Sequence, residues 1–338
     1  MTRLWLDGLQ RVARAPLLCL GVYALTCLTT LPMAFVLHNT ITTHLGTSLV
    51  ANSVSQEFNT GWWEEFRFAT EGGIVATFGP EVIGFAAPLS NFSRFADADF
   101  PHGAIASAIV LYLTAWAFFL GGILDRLARQ RQITSAGFIA ACGVYFWRFA
   151  RLGLLIIATY WVLFTIIHPW LFQDLYSALT HDSTVERDAA IVQFSLYLIF
   201  GILLVAVTLV FDYAKVRVVV EDRRSMLSAV FASTRFVKRR LIATVHLYLL
   251  NALGFLMIIF LYSLVAPGAN TSGFTVWLGF AISQVYIAAR LFAKLTLYAS
   301  QTSYFQSELA HATYVAGPQR QWLPSPMVEA LAPPPDKS

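Results

Sequence analysis

Charge is scarce in this chain, and cysteine and acidic residues in the right places scarcer still. Asp, Glu, Lys and Arg make up only 12% of the 338 residues, about half the share of an average soluble protein. That excludes an ordinary soluble domain, whose surface needs more charge. The three cysteines, Cys19, Cys27 and Cys142, form no C-x-x-C pair and no cysteine–histidine spacing. This argues against a zinc site, and no two are placed for an extracytoplasmic disulfide. His38, His44, His102, His168, His181 and His311 are scattered without metal-ligand spacing. No Gly-rich phosphate cradle is present, and no aromatic platform interleaves with the basic residues, so nucleotide and nucleic-acid binding are poor readings. The sequence calls for no cofactor.

What is there is hydrocarbon. Hydrophobic residues make up 57% of the chain, aromatics 14%, and the mean hydropathy is +0.62. A membrane-crossing helix needs roughly 20 mostly apolar residues, and six runs qualify: 16–37, 104–124, 152–172, 189–211, 242–265 and 274–298. None contains an internal Asp or Glu. Arg3, Arg11 and Arg14 precede the first run in the manner of a signal peptide. However, its apolar core is too long for one, and "LPMAFVLHNT" has no small-x-small cleavage site, so it reads as a retained helix. The expected fold is all-α: a polytopic membrane protein with six transmembrane helices.

Lys and Arg resist translocation and so set orientation. With both termini cytoplasmic, 20 basic residues fall inside and three, Arg67, Arg94 and Arg187, fall outside. Eight of the 20 lie in "FDYAKVRVVVEDRRSMLSAVFASTRFVKRRL", residues 211–241. The expectation is a multi-pass protein of the inner (cytoplasmic) membrane with that stretch as its largest cytoplasmic loop.

The loop also has form. Ser225 is placed to cap a helix, and Leu227, Val230, Phe231, Val237 and Leu241 recur at helical spacing. Lys238, Arg239 and Arg240 close the segment before the fifth span. Trp5, Leu9, Val12 and Pro16 repeat the device at the start of the chain. In the middle, "TSAGFIAACGVYFWRFARLG" offers Ser135 as cap, a stripe of Phe138, Cys142, Phe146 and Phe149, and then Arg148 and Arg151. Each reads as an amphipathic helix along the inner interface followed by a membrane hairpin. The domain plan is one integral membrane domain over 1–312, in repeats 1–130, 131–211 and 212–312, with a tail over 313–338 that reads as disordered. The first repeat carries an outer loop over 38–103. Arg148, Arg151, Lys238, Arg239 and Arg240 are the candidate contacts to lipid headgroups, anionic ones above all.

On "SMLSAVFASTRFVKRRL" before span five, "DGLQRVARAPLL" before span one, and six spans overall, the chain resembles a broad group of bacterial membrane proteins. It is similar in form to the membrane domain that accompanies some glycerophosphodiester phosphodiesterases. The likeness covers most of the chain but carries no diagnostic motif, and no soluble segment could hold the catalytic barrel. It implies a membrane module without phosphodiesterase activity.

In the outer loop, Phe58, Trp62, Phe66 and Ala69 share a helical face, and Trp62 and Trp63 suit headgroup depth. Pro80 is placed to begin a second short helix carrying Val82, Phe85, Leu89 and Phe92, with Pro88 kinking or ending it. Glu64, Glu65, Glu71 and Glu81 could serve acid–base chemistry only if two converged in different environments; nothing in their spacing demands it.

Inside the spans, Arg290 and Lys294 stand four residues apart, on one face, near the expected inner boundary. Both can snorkel. Asp212, and Asp125 at the equivalent position after span two, are the acids nearest in depth, so pairing between these acids and bases is expected to join repeats. With His246 they form the candidate intramembrane ion-pair or ligand site. His246, Asn251, Gln193 and Gln284 are expected to hydrogen-bond between helices, because a polar group in hydrocarbon must find a partner. The glycines of "FFLGGIL" and "ALGFL" suit close helix packing. The functional expectation is a non-catalytic module acting on lipids or envelope organisation, with transport of a small or amphiphilic substrate as the alternative.

Overall fold

The computed structural model describes residues 1–46, 48–56, 59–70, 93, 96–98, 104–130, 134–181, 185–266 and 273–315. The elements are α1 (Thr2–Ala13), α2 (Pro16–Leu45), α3 (Val50–Gln56), α4 (Thr60–Ala69), α5 (Ala104–Arg129), α6 (Ser135–Val162), α7 (Glu186–Val220), α8 (Met226–Arg239), α9 (Leu241–Val265) and α10 (Phe274–Val315). There is no strand among the described residues. Six of the helices are long and apolar enough to cross a membrane, one over each predicted run. The chain is an all-α, multi-pass membrane protein.

Local chemistry sets the boundaries. Pro16 occupies the first turn of α2, where its missing N–H costs nothing. Thr134, not the expected Ser135, caps α6 by accepting from the Gly137 amide at 3.2 Å. Ser225 caps α8 as expected, accepting from the Ser228 amide at 3.4 Å. Beyond Val162, α6 continues through two π-helical turns, Leu163–Ile167 and Trp170–Leu175, into a last turn at Tyr176–Thr180. They flank Pro169, whose ring and missing N–H are at odds with a regular α-turn; wider turns accommodate both.

Two clusters hold the molecule together. The larger gathers α1, α8, the ends of α5, α7 and α10 and the starts of α2, α6 and α9 at the end of the bundle that carries most of the basic residues, called here the basic face. At its centre, Leu295, Thr296 and Tyr298–Phe305 of α10 are all buried. Polar Thr296, Ser300, Gln301, Thr302 and Ser303 lie there because neighbours replace lipid around that half of the helix. The smaller cluster, Leu163, Phe164, Leu171, Leu196 and Phe200, joins α6 to α7 toward the opposite face. Elsewhere the spans expose their apolar side chains: Leu17, Phe35, Trp161, Phe194 and Trp277 are all exposed, as suits a lipid solvent.

Glycines set the closest crossings. A Cβ on Gly8 of α1 would stand 2.8 Å from the Ser300 backbone nitrogen, so α1 lies tight on α10. On α5, Gly121 and Gly122 admit Tyr145, Cys142 and Phe138 of α6, with hypothetical Cβ contacts of 2.6–2.7 Å. That is the packing expected of "FFLGGIL". In "ALGFL", Gly254 instead faces Trp5 of α1 at an ordinary 3.5 Å.

The structure differs from expectation in two places. The middle amphipathic segment is not a separate helix: α6 runs unbroken from Ser135 into the span. α10 does not stop near 298 but continues helical to Val315. On α8, Met226, Ala229, Ser233 and Val237 are buried, while Leu227 and Phe231 of its apolar stripe are exposed. In the segment between α2 and α5, Asn59 caps α4 and Phe66 is buried, stacked on Trp62 at 5.1 Å. The expected helix from Pro80, Glu57, Phe58, Glu71, Glu81 and residues 316–338 of the tail lie outside the described residues.

Candidate functional site: a cationic intramembrane cavity

Three spans, α2, α9 and α10, enclose a cavity of about 820 Å³, with Tyr112 of α5 contributing to the wall. The spacing of its α10 residues shows why it opens where it does. Phe280, Gln284, Ile287, Leu291, Lys294 and Leu297 recur at three or four residues, a single face of that helix. Arg290 lies between them on the same side. The facing α9 residues are Tyr248, Asn251, Ala252 and Phe255, and α2 gives Tyr23, Thr26, Cys27, Thr30, Leu31 and Ala34. Most of this lining is hydrocarbon.

Its polar groups are few and sorted along its length. Toward the middle, the Tyr23 hydroxyl donates to Gln284 Oε1 at 2.6 Å, tying α2 to α10. Nearer the basic face, Asn251 donates to Ser300 Oγ at 3.1 Å and to the Leu247 carbonyl at 2.8 Å, tying α9 to α10. Both amides thus form the interhelical bonds expected of them. Toward the basic face stand the two cations. Lys294 Nζ lies 3.5 Å from the centroid of Trp116 and 5.7 Å from that of Tyr112. The Arg290 guanidinium lies 5.5 Å from the Tyr286 ring and 5.9 Å from Phe255. Ring faces are electron-rich, so each cation is held in place by the rings beside it.

The expected pairing of these cations with Asp212 or Asp125 is not what forms. Asp212 is buried and binds Lys215, three residues along its own helix, at 2.8 Å, with Gln301 at 3.4 Å on its other oxygen. Asp125 binds Arg129, four residues along, at 2.6 Å. A carboxylate at a helix end meets the cation in its own next turn before one on another helix. Neither acid lines the cavity. His246 does not line it either; it is exposed on α9, and makes no interhelical bond among the described residues. Gln193 is exposed on α7. Arg290 and Lys294 therefore converge on a cavity, and Asp125, Asp212 and His246 do not join them.

The headgroup candidates divide similarly. Arg148 binds Asp222 across the α6–α8 region, with its guanidinium 5.2 Å from the Tyr145 ring. Arg240 binds Glu308 of α10 at 2.9 Å. Those two tie the bundle together. Arg151 is exposed and donates only to the carbonyl of Trp147, at 3.1 Å; Lys238 and Arg239 are exposed at the end of α8. These three keep their charge outward.

Trp116 and Lys215 were the residues sequence reasoning missed. Lys215 was within reach, since it stands at i+3 from Asp212. Trp116 was not: only packing reveals which ring a snorkelling lysine meets. Among the described residues no group of three His, Cys, Asp or Glu side chains is placed to hold a metal ion. Comparison with protein families, with characterised proteins and with solved structures finds no match.

Proposed function

We propose that this protein is a non-catalytic membrane module that holds an anionic amphiphile, a lipid, in the α2–α9–α10 cavity. The reading rests on one observation above all: two cations, with no carboxylate ion-paired to either among the described residues, toward one end of a cavity whose lining is mostly hydrocarbon. An acidic headgroup at Arg290 and Lys294 satisfies both charges, and acyl chains suit Leu31, Ala34, Phe280 and Ile287 farther along. The basic face belongs at the cytoplasmic leaflet by the charge asymmetry. There, outward Arg151, Lys238 and Arg239 each add about 1 kcal/mol of attraction to anionic lipid. The likeness in form to membrane domains of glycerophosphodiester phosphodiesterases is compatible with a lipid-facing role.

The test is retention of lipid by the purified protein, read by native mass spectrometry. The wild type is expected to retain phosphatidylglycerol over phosphatidylcholine. The double variant Arg290→Gln/Lys294→Gln is expected to hold one anionic lipid fewer. Equal retention by the variant would overturn the reading.

A second reading, passage of such an amphiphile across the bilayer, has one observation in its favour. The lining residues Phe280 to Leu297 span about 26 Å of α10 at 1.5 Å per residue, close to the roughly 30 Å hydrocarbon depth. Protein-dependent movement of a labelled anionic lipid between leaflets of a proteoliposome would support it.

A further inference from the structure

A second cavity, sharing no residue with the first, opens beside the start of α2. It measures about 630 Å³ and is formed by α2, α5 and α6 with the α1–α2 connection. Its lining is polarised. Arg14, Arg126 and Ser135 stand at the end belonging to the basic face, while Val22, Leu25 and Phe119 lie deeper along the spans. Neither Arg14 nor Arg126 makes an ion pair or side-chain hydrogen bond among the described residues. Arg14 is exposed and Arg126 half-buried. Two guanidinium groups thus line one cavity.

The backbone adds to the same field. The N-terminal turn of α2, Ala15–Leu18, lines the cavity, and no side chain caps it. Ser135, the first residue of α6, lines it from the other side. Two helix N-termini, the positive ends of their dipoles, therefore meet where the two arginines stand. Guanidinium groups match the oxygens of a phosphate in planar, paired hydrogen bonds. The hydrocarbon below rules the occupant's other half: a free phosphate would leave Val22, Leu25 and Phe119 facing nothing it can cover.

We infer that this cavity binds the phosphate of an anionic phospholipid at Arg14 and Arg126, with an acyl chain lying along the α2–α5 groove. The site is independent of the α2–α9–α10 cavity and stands if that reading fails. It also gives the short helix α1 a purpose beyond packing, since α1 ends at Ala13 and so delivers Arg14 to the mouth.

Gly21 supplies a test that does not disturb the arginines. It lines the cavity, and a Cβ there would meet nothing within 4 Å. Leu at that position fills the groove and improves the helix. Phosphatidylglycerol retention would be counted for the wild type, Arg14→Gln/Arg126→Gln and Gly21→Leu, with phosphatidylcholine and glycerol phosphate as comparison ligands. Both variants are expected to lose one phosphatidylglycerol, with affinity for it falling roughly tenfold or more. Arg290→Gln/Lys294→Gln retains this lipid. Glycerol phosphate at millimolar concentration is expected not to displace it. Unchanged retention in Gly21→Leu, equal binding of phosphatidylcholine, or displacement by glycerol phosphate would each overturn the inference. Should the arginine variant fail to fold, Gly21→Leu alone decides.

Discussion

At the scale of the residue, the buried carboxylates Asp125 and Asp212 pair with cations on their own helices, while Arg14, Arg126, Arg290 and Lys294 line cavities. Asp212 and Lys215 are the sharpest pair, with side chains 5% and 18% exposed. Removing one partner strands the other in a low-dielectric interior, which costs about 3–5 kcal/mol in comparable pairs. Asp212→Ala is therefore expected to lower thermal stability in detergent by that order, and Asp212→Ala/Lys215→Met to recover most of it. A single variant as stable as wild type would show that the pair contributes nothing. These partners were legible in the sequence, because i+3 and i+4 neighbours on a helix meet whatever the fold. Most of the aromatic partners of Arg290 and Lys294 were not. Tyr286, four residues before Arg290, was within reach of helical spacing, but Phe255, Tyr112 and Trp116 are distant in sequence and no periodicity encodes those contacts.

At the scale of the element, hydropathy located all six spans but could not find the end of α10. "SQTSYFQSELA" reads as a polar exit from the membrane. Instead α1, α7, α8 and α9 surround it and α10 continues through it. Polarity normally signals water, but here Ser303 donates to Asp7 of α1 at 2.6 Å, and Gln306 to the Ala128 carbonyl at 3.0 Å. The α1–α10 crossing carries a direct prediction. Gly8→Val forces a branched side chain against the Ser300 backbone and is expected to destabilise the protein by about 1–3 kcal/mol, with faster hydrogen exchange in α1. Gly143→Ala is the control. Nothing lies within 4 Å of a Cβ there, so that variant is expected to be neutral or to gain up to about 1 kcal/mol in helix propensity. Equal effects at the two positions would contradict the packing described.

For the whole molecule, composition alone identified the solvent. Low charge and uninterrupted apolar runs have few other physical explanations, and the exposed hydrocarbon along the spans agrees. The division into a packed basic face and more open outer halves was not legible, because it depends on which helices touch. That division matters for function: both cavities lie where the spans part, with their cationic ends toward the packed face. Occupancy by lipid fills the gaps between spans, so phosphatidylglycerol is expected to raise the thermal midpoint of the purified protein. For an occupant a hundredfold above its dissociation constant the gain is about 2.7 kcal/mol. Phosphatidylcholine is expected to have a smaller effect, and an equal one would contradict recognition of charge.

The account depends on where the basic face sits relative to the membrane. In a background with Cys19, Cys27 and Cys142 replaced, single cysteines would be placed at Leu49, exposed in the turn between α2 and α3, and at Arg239, at the end of α8. Intact cells would then be treated with a membrane-impermeant maleimide, after permeabilising the outer membrane if there is one. The cysteine replacing Leu49 is expected to label and the one replacing Arg239 to stay unlabelled until the inner membrane is opened. Labelling of the Arg239 position from outside would place the arginines and lysines in the wrong leaflet and contradict the account.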